Sequence, residues 1–233
     1  SGELQRVAIA RTLVLSPKLL LLDEPMSSVD ASLKDDIRKV LRRINRSGLT
    51  IIHVTHDYRE ALSLAGRVGV IHGGRIVQEG TPESVFSRPA SRFVARYAGI
   101  KNFFNVRLSK KGDVWKAEGD RNIIFCTADS SFAGEGLMMV RCENISISDN
   151  EPVPGTENCF RGVVTEIFPS ESGMEITVDA GMLFVASLSV SDFRKLKARE
   201  ASQVWISFPS EAAIVIDGSN DSVISSEKST LNR

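Results

Sequence analysis

Residues 17–30, PKLLLLDEPMSSVD, set two acids, Asp23 and Glu24, directly behind four leucines. Carboxylates are costly to take out of water, so acids that end an apolar run imply a cationic partner or a proton-transfer task. Successive strand residues point to opposite sides, so two adjacent acids can divide the work, one facing a magnesium ion and the other a water. A third candidate, His56, closes the next apolar run, LTIIHVTH, and is followed by Asp57. His53 and His72 lack such a setting and read as packing or surface residues.

Elements must hold these groups in place. Residues 4–15 carry apolar side chains at three- and four-residue spacing, which predicts a helix that Pro17 stops. Residues 19–22 form a short continuous apolar run, as in a parallel strand covered on both faces. Asp30 can cap a helix over residues 31–45, whose Leu33, Ile37, Val40, Leu41 and Ile44 fall along one stripe. LTIIHVTH then supplies a second buried strand, and residues 58–64 a further helix. Strand, helix, strand, helix predicts a doubly wound α/β sheet, whose ligands sit at the carboxyl edge of the strands. In RVGVIHGGRIVQEG two β-rich runs flank Gly73-Gly74, a dipeptide suited to a hairpin turn. Pro82 opens a short helix, and a last helical stretch runs through SRFVARYAG.

From about residue 99 the apolar period becomes two. NFFNVRL, DVWKAE, NIIFCTA, LMMVRCENISIS, CFRGVVTEIF, MEITVDA, LFVASLS and QVWISF are short strand candidates separated by turn residues, which predicts a small barrel or paired barrels. The polar stretch from Asp217 is expected to be a disordered tail. Composition agrees with a soluble globular chain, at 42% hydrophobic and 25% charged among 233 residues. Lys+Arg and Asp+Glu both number 29, so bulk charge attracts neither nucleic acid nor acidic lipid and anion binding needs a local site. No apolar run approaches the roughly 18 to 20 residues that span a bilayer, and the start lacks a signal-peptide pattern, so a cytoplasmic chain is expected. Cys126, Cys142 and Cys159 are odd in number and have no C-x-x-C spacing, which argues against a disulfide framework or a zinc site.

Five landmarks in order resemble the nucleotide-binding subunits of ABC transporters. SGELQRVAIAR is similar to the signature and its helix, LLLLDE to Walker B with its following glutamate, and SSVD to the D-loop. HVTHD resembles the switch-histidine segment and GRVGVIHGGRIVQEGTPESVF the closing hairpin and helix. The resemblance implies that Asp23 holds Mg²⁺, that Glu24 is general base toward the water attacking ATP, and that His56 reaches the γ-phosphate. It also implies that Asp30 couples two nucleotide sites, and that Ser1, Gly2, Glu3 and Gln5 read the nucleotide of an opposite subunit, so that catalysis needs a homodimer or a paired ATPase subunit. The signature is one residue short of the family's usual Ser-Gly-Gly spacing, which puts Ser1 where the first glycine is expected. No segment matches G-x-x-x-x-G-K-[ST], the phosphate-cradling loop, so the chain reads as the back portion of a longer protein and is expected to be inactive alone.

The second part resembles the C-terminal regulatory barrel, of the TOBE or molybdate-binding type, of importers for sugars, polyamines, iron and oxyanions. SRFVARYAGIKNFFNV is similar to the link into that barrel and VRCENISIS to one of its strands. Residues 158–216 look most like the molybdate-binding small barrel, through Asn-x-x-x-Gly-x-Val and a Leu-Ser-x-Ser segment. Ser187, Ser189, Ser191 and Lys195 lie in the stretch that would hold an oxyanion in the barrel, and Glu211 would repel one. The expected organisation is an α/β partial P-loop-type ABC ATPase domain over residues 1–98, an all-β OB-like domain over 99–217 and a tail over 218–233. The implied function is that of an ATP-hydrolysing, energy-coupling importer subunit for molybdate or tungstate, with sugar, polyamine or iron as alternative solutes. A rival reading is a ligand-sensing or dimerisation barrel carrying an incomplete ATPase. The implied partners are transmembrane permease subunits and, indirectly, a periplasmic or extracellular solute-binding protein, at the cytoplasmic face of the membrane and without nucleic acid.

Overall fold

Leucines and isoleucines of 19–54 build the first of two compact units, Ser1–Val85 and Phe86–Arg233. The computed structural model describes residues 2–27, 29–111, 114–119, 123–126 and 133–218. The tail expected from 218 onward therefore lies, from residue 219, outside the described residues.

In the first unit α1 (Gly2–Val14) ends ahead of Ser16, whose φ of 49° and the following Pro17 stop the helix. β1 (Leu19–Asp23) leads to α2 (Ala31–Arg46), capped as its sequence predicts: the Leu33 amide donates to Asp30 Oδ1 at 2.9 Å. β2 (Thr50–Val54) is followed by α3 (Tyr58–Leu64), capped by Asp57. β3 (Val68–His72) and β4 (Arg75–Gly80) form a separate antiparallel hairpin. Its two-residue turn needs left-handed backbone, and Gly73 and Gly74 adopt it at φ 55° and 75°. α4 (Pro82–Ser87) crosses the division between the units.

β1 and β2 pair in parallel, from Leu19 opposite Thr50 to Asp23 opposite Val54. Leu20 and Leu22 turn inward onto Ile9 of α1 and Ile37 and Leu41 of α2, with Met26 and Val29 closing the cluster. The expectation of strands covered on both faces is corrected here. Leu19, Leu21, Ile52 and Val54 stand on the opposite face and are exposed, Leu21 by 66%. The reason is the period of two: α1 and α2 pack on one side only, and nothing among the described residues of this two-stranded parallel sheet covers the other.

The second unit begins with α5 (Arg92–Tyr97), where the Val94 amide donates to Ser91 Oγ. Its strands are β5 (Asn102–Lys111), β6 (Val114–Glu118), β7 (Ile123–Cys126), β8 (Gly134–Val140), β9 (Ser146–Ser148), β10 (Cys159–Ser170), β11 (Gly173–Asp179) and β12 (Leu183–Leu188). α6 (Val190–Leu196), β13 (Gln203–Ser207) and β14 (Ala213–Asp217) complete it. They form two five-stranded antiparallel sheets, β14-β8-β5-β6-β7 and β12-β11-β10-β13-β9. One core joins them, with Val106, Leu108 and Met138 from the first meeting Val178, Phe184 and Ile206 from the second. Phe184 lies at 4.8 Å from Phe104 and 5.9 Å from both Phe160 and Phe208, centroid to centroid.

LMMVRCENISIS, expected as one strand, is broken. A 3-10 turn at Cys142–Asn144 sends β8 into one sheet and β9 into the other. Arg141 marks the break, its guanidinium donating to the Phe86 and Ala98 carbonyls at 2.6 and 3.3 Å. β8 buries consecutive residues because it is covered twice: Met138 and Val140 face the shared core, while Leu137 and Met139 meet Ala95 of α5 and Ile100. In the Asn-x-x-x-Gly-x-Val pattern, Gly162 is required by space, since a Cβ there would lie 2.6 Å from Val178 Cγ1 and 2.7 Å from the Asp179 carbonyl.

Asn102 joins the two sheets without a strand pairing. Its buried amide donates to the Val140 carbonyl at 3.0 Å and the Val185 carbonyl at 2.8 Å, and accepts from the Val185 amide at 2.7 Å. Asn102→Ala would strand those backbone groups, and a loss of about 2–4 kcal/mol is expected from urea unfolding followed by tryptophan fluorescence. A loss below about 0.5 kcal/mol, the level of an ordinary surface change, would contradict this role.

Candidate functional site

The carboxyl ends of β1 and β2 bring together the residues that the sequence singled out. Val54 is the partner of Asp23 in the parallel register, and the Glu24 amide extends the ladder by donating to the Val54 carbonyl at 3.0 Å. Glu24 then leaves the strand with φ 47°, a conformation that costs a non-glycine residue roughly 1 kcal/mol. Its carbonyl accepts from the Ser27 amide and hydroxyl at 3.2 and 3.0 Å, which secures the turn. The turn aims the carboxylate at the end of β2, where Oε1 lies 2.7 Å from His56 Nδ1. A carboxylate at that contact accepts, so Nδ1 carries the proton and Nε2 is left for another partner. Hydrogen bonding to Glu24, and then its charge, raise the His56 pKa above the ordinary imidazole value. Asp23 is exposed beside this pair, and its carboxylate has no hydrogen bond or ion pair with any described residue.

Behind His56 lies a group of side chains that the sequence reading did not single out. Glu60 on α3 is buried, with 4% of its side chain exposed. Its Oε2 accepts from Thr55 Oγ1 at 2.8 Å, and Thr55 Oγ1 in turn accepts from the Asp57 amide at 3.0 Å. Lys34 Nζ of α2 stands 3.8 Å from Glu60 Oε1. His53 Nε2 stands 3.6 Å from Oε2, near enough to feel the charge and too far for a hydrogen bond. Burial lowers the His53 pKa, against the opposing pull of Glu60 and Glu24, so His53 is a neutral packing residue at neutral pH. The available signal was Asp57-x-x-Glu60, a helix-start pattern in which the glutamate usually reaches back to the cap amide. Here Thr55 takes that amide.

The remaining candidates divide. Asp30 spends its carboxylate on the α2 cap, accepting from the Leu33 amide and from Ser32 Oγ at 2.8 Å, which lowers its pKa, the backbone bond being the larger cause. Ser1 and Ser28 lie outside the described residues, as do the side chains of Glu3 and Gln5; the backbone of Gly2, Glu3 and Gln5 opens α1. In the second unit, Ser189 Oγ caps α6 through the Asp192 amide and donates to Asp192 Oδ2 at 2.7 Å, while Lys195 Nζ pairs with Asp192 Oδ1 at 3.1 Å. The hydroxyl and ammonium expected to meet an oxyanion are thus engaged by a carboxylate of their own helix. Among the described residues no three His, Cys, Asp or Glu side chains cluster as a metal-ligand set.

A family described as ABC transporter matches residues 1–27. Over 91% of its length the chain is 36% identical to the molybdate/tungstate import ATP-binding protein WtpC of Pyrococcus horikoshii, of which it covers 60%. It is 33% identical over 92% of its length to the spermidine/putrescine import ATP-binding protein PotA of Ruegeria pomeroyi, covering 59% of that protein. A solved molybdate-bound structure of the cytoplasmic molybdate-binding protein ModG shares 14% identity at a TM-score of 0.41, covering 50% of this chain and 96% of that one. The chain spans about 60% of the length of these two importer relatives.

A chemical-shift titration should find His56 losing its proton above the ordinary imidazole range and His53 below it. Because the folded value of His56 is raised, its pairing with Glu24 stabilises the fold at pH below the unfolded imidazole value, and this is lost as pH rises through the folded one. In E24Q the His56 midpoint should fall while His53 changes little, Glu24 being the last-ranked influence on it. An unmoved His56 would contradict the pairing.

Proposed function

We propose that this chain, related over nine-tenths of its length to the ATP-binding proteins of importers, forms part of an ATP-hydrolysing subunit that energises import of an oxyanion such as molybdate or tungstate. The observation that carries the reading is the Glu24–His56 contact at the carboxyl end of a parallel strand pair, with an exposed Asp23 beside it. This rim is where an open α/β sheet receives a nucleotide.

The donor set fits magnesium nucleotide. Mg²⁺ is commonly held through one or two carboxylates together with waters and phosphate oxygens, so the exposed Asp23 suffices where the described residues hold no three-ligand cluster. When bound, the ion neutralises charge on the phosphates. Glu24 engages His56 through Oε1, which leaves Oε2 to take a proton from the attacking water. With Nδ1 donating to Glu24, protonated His56 offers Nε2–H toward the γ-phosphate, and the raised His56 pKa favours that form. Asp30, fixed by the helix cap, lies on the loop that would face a second nucleotide site. Gly2, Glu3 and Gln5, with Ser1 before them, would contact the nucleotide of a paired subunit at the start of α1. The phosphate-cradling loop would be supplied by sequence outside these 233 residues, in keeping with the greater length of the relatives.

No helix among the described residues is long and apolar enough to cross a membrane. On the likeness to importer ATP-binding proteins, the proposed assembly places this subunit at the cytoplasmic face, against separate permease chains that receive solute from an external binding protein. Similarity to a polyamine importer subunit leaves the solute to be decided by uptake. In cells, loss of the protein should abolish accumulation of labelled molybdate and leave that of spermidine intact; the opposite result would overturn the oxyanion assignment.

Hydrolysis is tested in the full-length protein, with any residues encoded ahead of Ser1 included. E24Q should lower kcat by at least about 100-fold, within the range for losing a general base, while the KM for Mg-ATP changes little. Retention of wild-type turnover by E24Q would refute the assignment.

A further inference from the structure

We infer that Glu60 positions His56 through Thr55, and so holds the Glu24–His56 pair in register; the kinetic part of this inference rests on the function proposed above. His56 is 76% exposed, and its ring has one described partner, Glu24 Oε1. An exposed imidazole keeps one orientation only if its backbone is fixed, because ordering a free side chain and turn costs conformational entropy. The fixing bonds lie on both sides of it. Thr55 Oγ1 accepts from the Asp57 amide, spanning His56, and Asp57 Oδ1 accepts from the Arg59 amide at 2.8 Å, tying the turn to the start of α3.

A threonine hydroxyl has a single proton, and where it goes decides which way the lone pairs face. Glu60 Oε2 takes that proton, which turns the lone pairs of Thr55 toward the Asp57 amide. Glu60 is itself held by burial, by the Asp57 carbonyl accepting from its amide at 3.1 Å, and by Lys34 beyond its other oxygen. Its location also separates it from a capping role. A capping-box glutamate would bond the Asp57 amide directly, whereas this carboxylate reaches past the helix start to the last residue before the turn. Glu60 touches no group of the proposed reaction, so its part is positioning, exerted along Glu60, Thr55, the Asp57 amide and His56.

The test uses this 233-residue chain and the His56 titration midpoint. Thr55→Val removes the hydroxyl without changing side-chain shape and should bring the His56 midpoint down toward that of the E24Q chain. Glu60→Ala should do the same. Glu60→Gln keeps an acceptor for Thr55 and should hold the midpoint above that of E60A, below wild type only by the lost field of the carboxylate. E60A and E60Q both remove the through-space field of the carboxylate, so the difference between them reports the hydrogen bond alone. Equal midpoints in E60A and E60Q, or an unchanged midpoint in T55V, would overturn the inference. If E60A does not fold, T55V and E60Q decide it, since each leaves a polar group at Glu60. In the full-length enzyme T55V should reduce kcat at least about tenfold with the KM for Mg-ATP within about twofold, as misplacement of a reacting group does. A T55V chain whose His56 midpoint falls while kcat is unchanged would support the positioning and sink the role proposed for His56 in hydrolysis instead.

Discussion

The parallel register of β1 and β2 is the constraint on which the site depends. With Asp23 opposite Val54, the two strands end together, and Glu24, the first residue beyond β1, is brought within one hydrogen bond of His56, the second residue beyond β2. A slip of one residue would turn Leu20 and Leu22 out of the core and point Glu24 away from His56 in the same motion. The hydrophobic cluster of Ile9, Leu20, Leu22, Ile37 and Leu41 therefore sets the placement of Glu24 and His56 as well as the fold, because it is what fixes that register. Each buried leucine contributes roughly 2 kcal/mol, more than the roughly 1 kcal/mol stored in the left-handed backbone of Glu24.

Around that register the sequence is locally consistent. Asp30 and Asp57 cap the helices that follow β1 and β2, so each strand end is joined to a fixed helix start. The two acids of the Asp-Glu pair are separated by environment: Asp23 stays exposed at the strand end, and Glu24 is turned by its backbone onto an imidazole. In the second unit the same economy appears in Asn102, one side chain that supplies the donors and acceptor a strand edge would otherwise provide.

Most of this was legible from residue types. The apolar spacing of α1 and α2, the cap at Asp30, the Gly73-Gly74 hairpin and the alternation of β10 to β12 are local signals, and the structure follows them. What was not legible depended on partners distant in sequence. A run of four leucines reads as a strand buried on both faces, and only the placement of α1 and α2 reveals that Leu19 and Leu21 face outward. VRCENISIS keeps a strand-like period through Arg141, yet the strand ends there, where the guanidinium donates to the carbonyls of Phe86 and Ala98 and a 3-10 turn follows. Glu60 resembled an ordinary capping glutamate, and its engagement with Thr55 follows from the α3 approach to β2. Ser189 and Lys195 have the donors an oxyanion needs, and pattern alone gave no sign that Asp192 occupies both.

In the proposed reading, Glu24 and His56 carry phosphoryl transfer as a unit. The β unit, by contrast, is a body of two five-stranded sheets around one shared core. The most direct measurement is a double-mutant cycle in single-turnover ATP cleavage by the full-length protein, comparing E24Q, H56A and the double variant. If Glu24 and His56 work through their shared hydrogen bond, the double variant will be no slower than the worse single one. Losses that multiply, each variant acting as though the other residue were untouched, would contradict the coupling that the strand register creates.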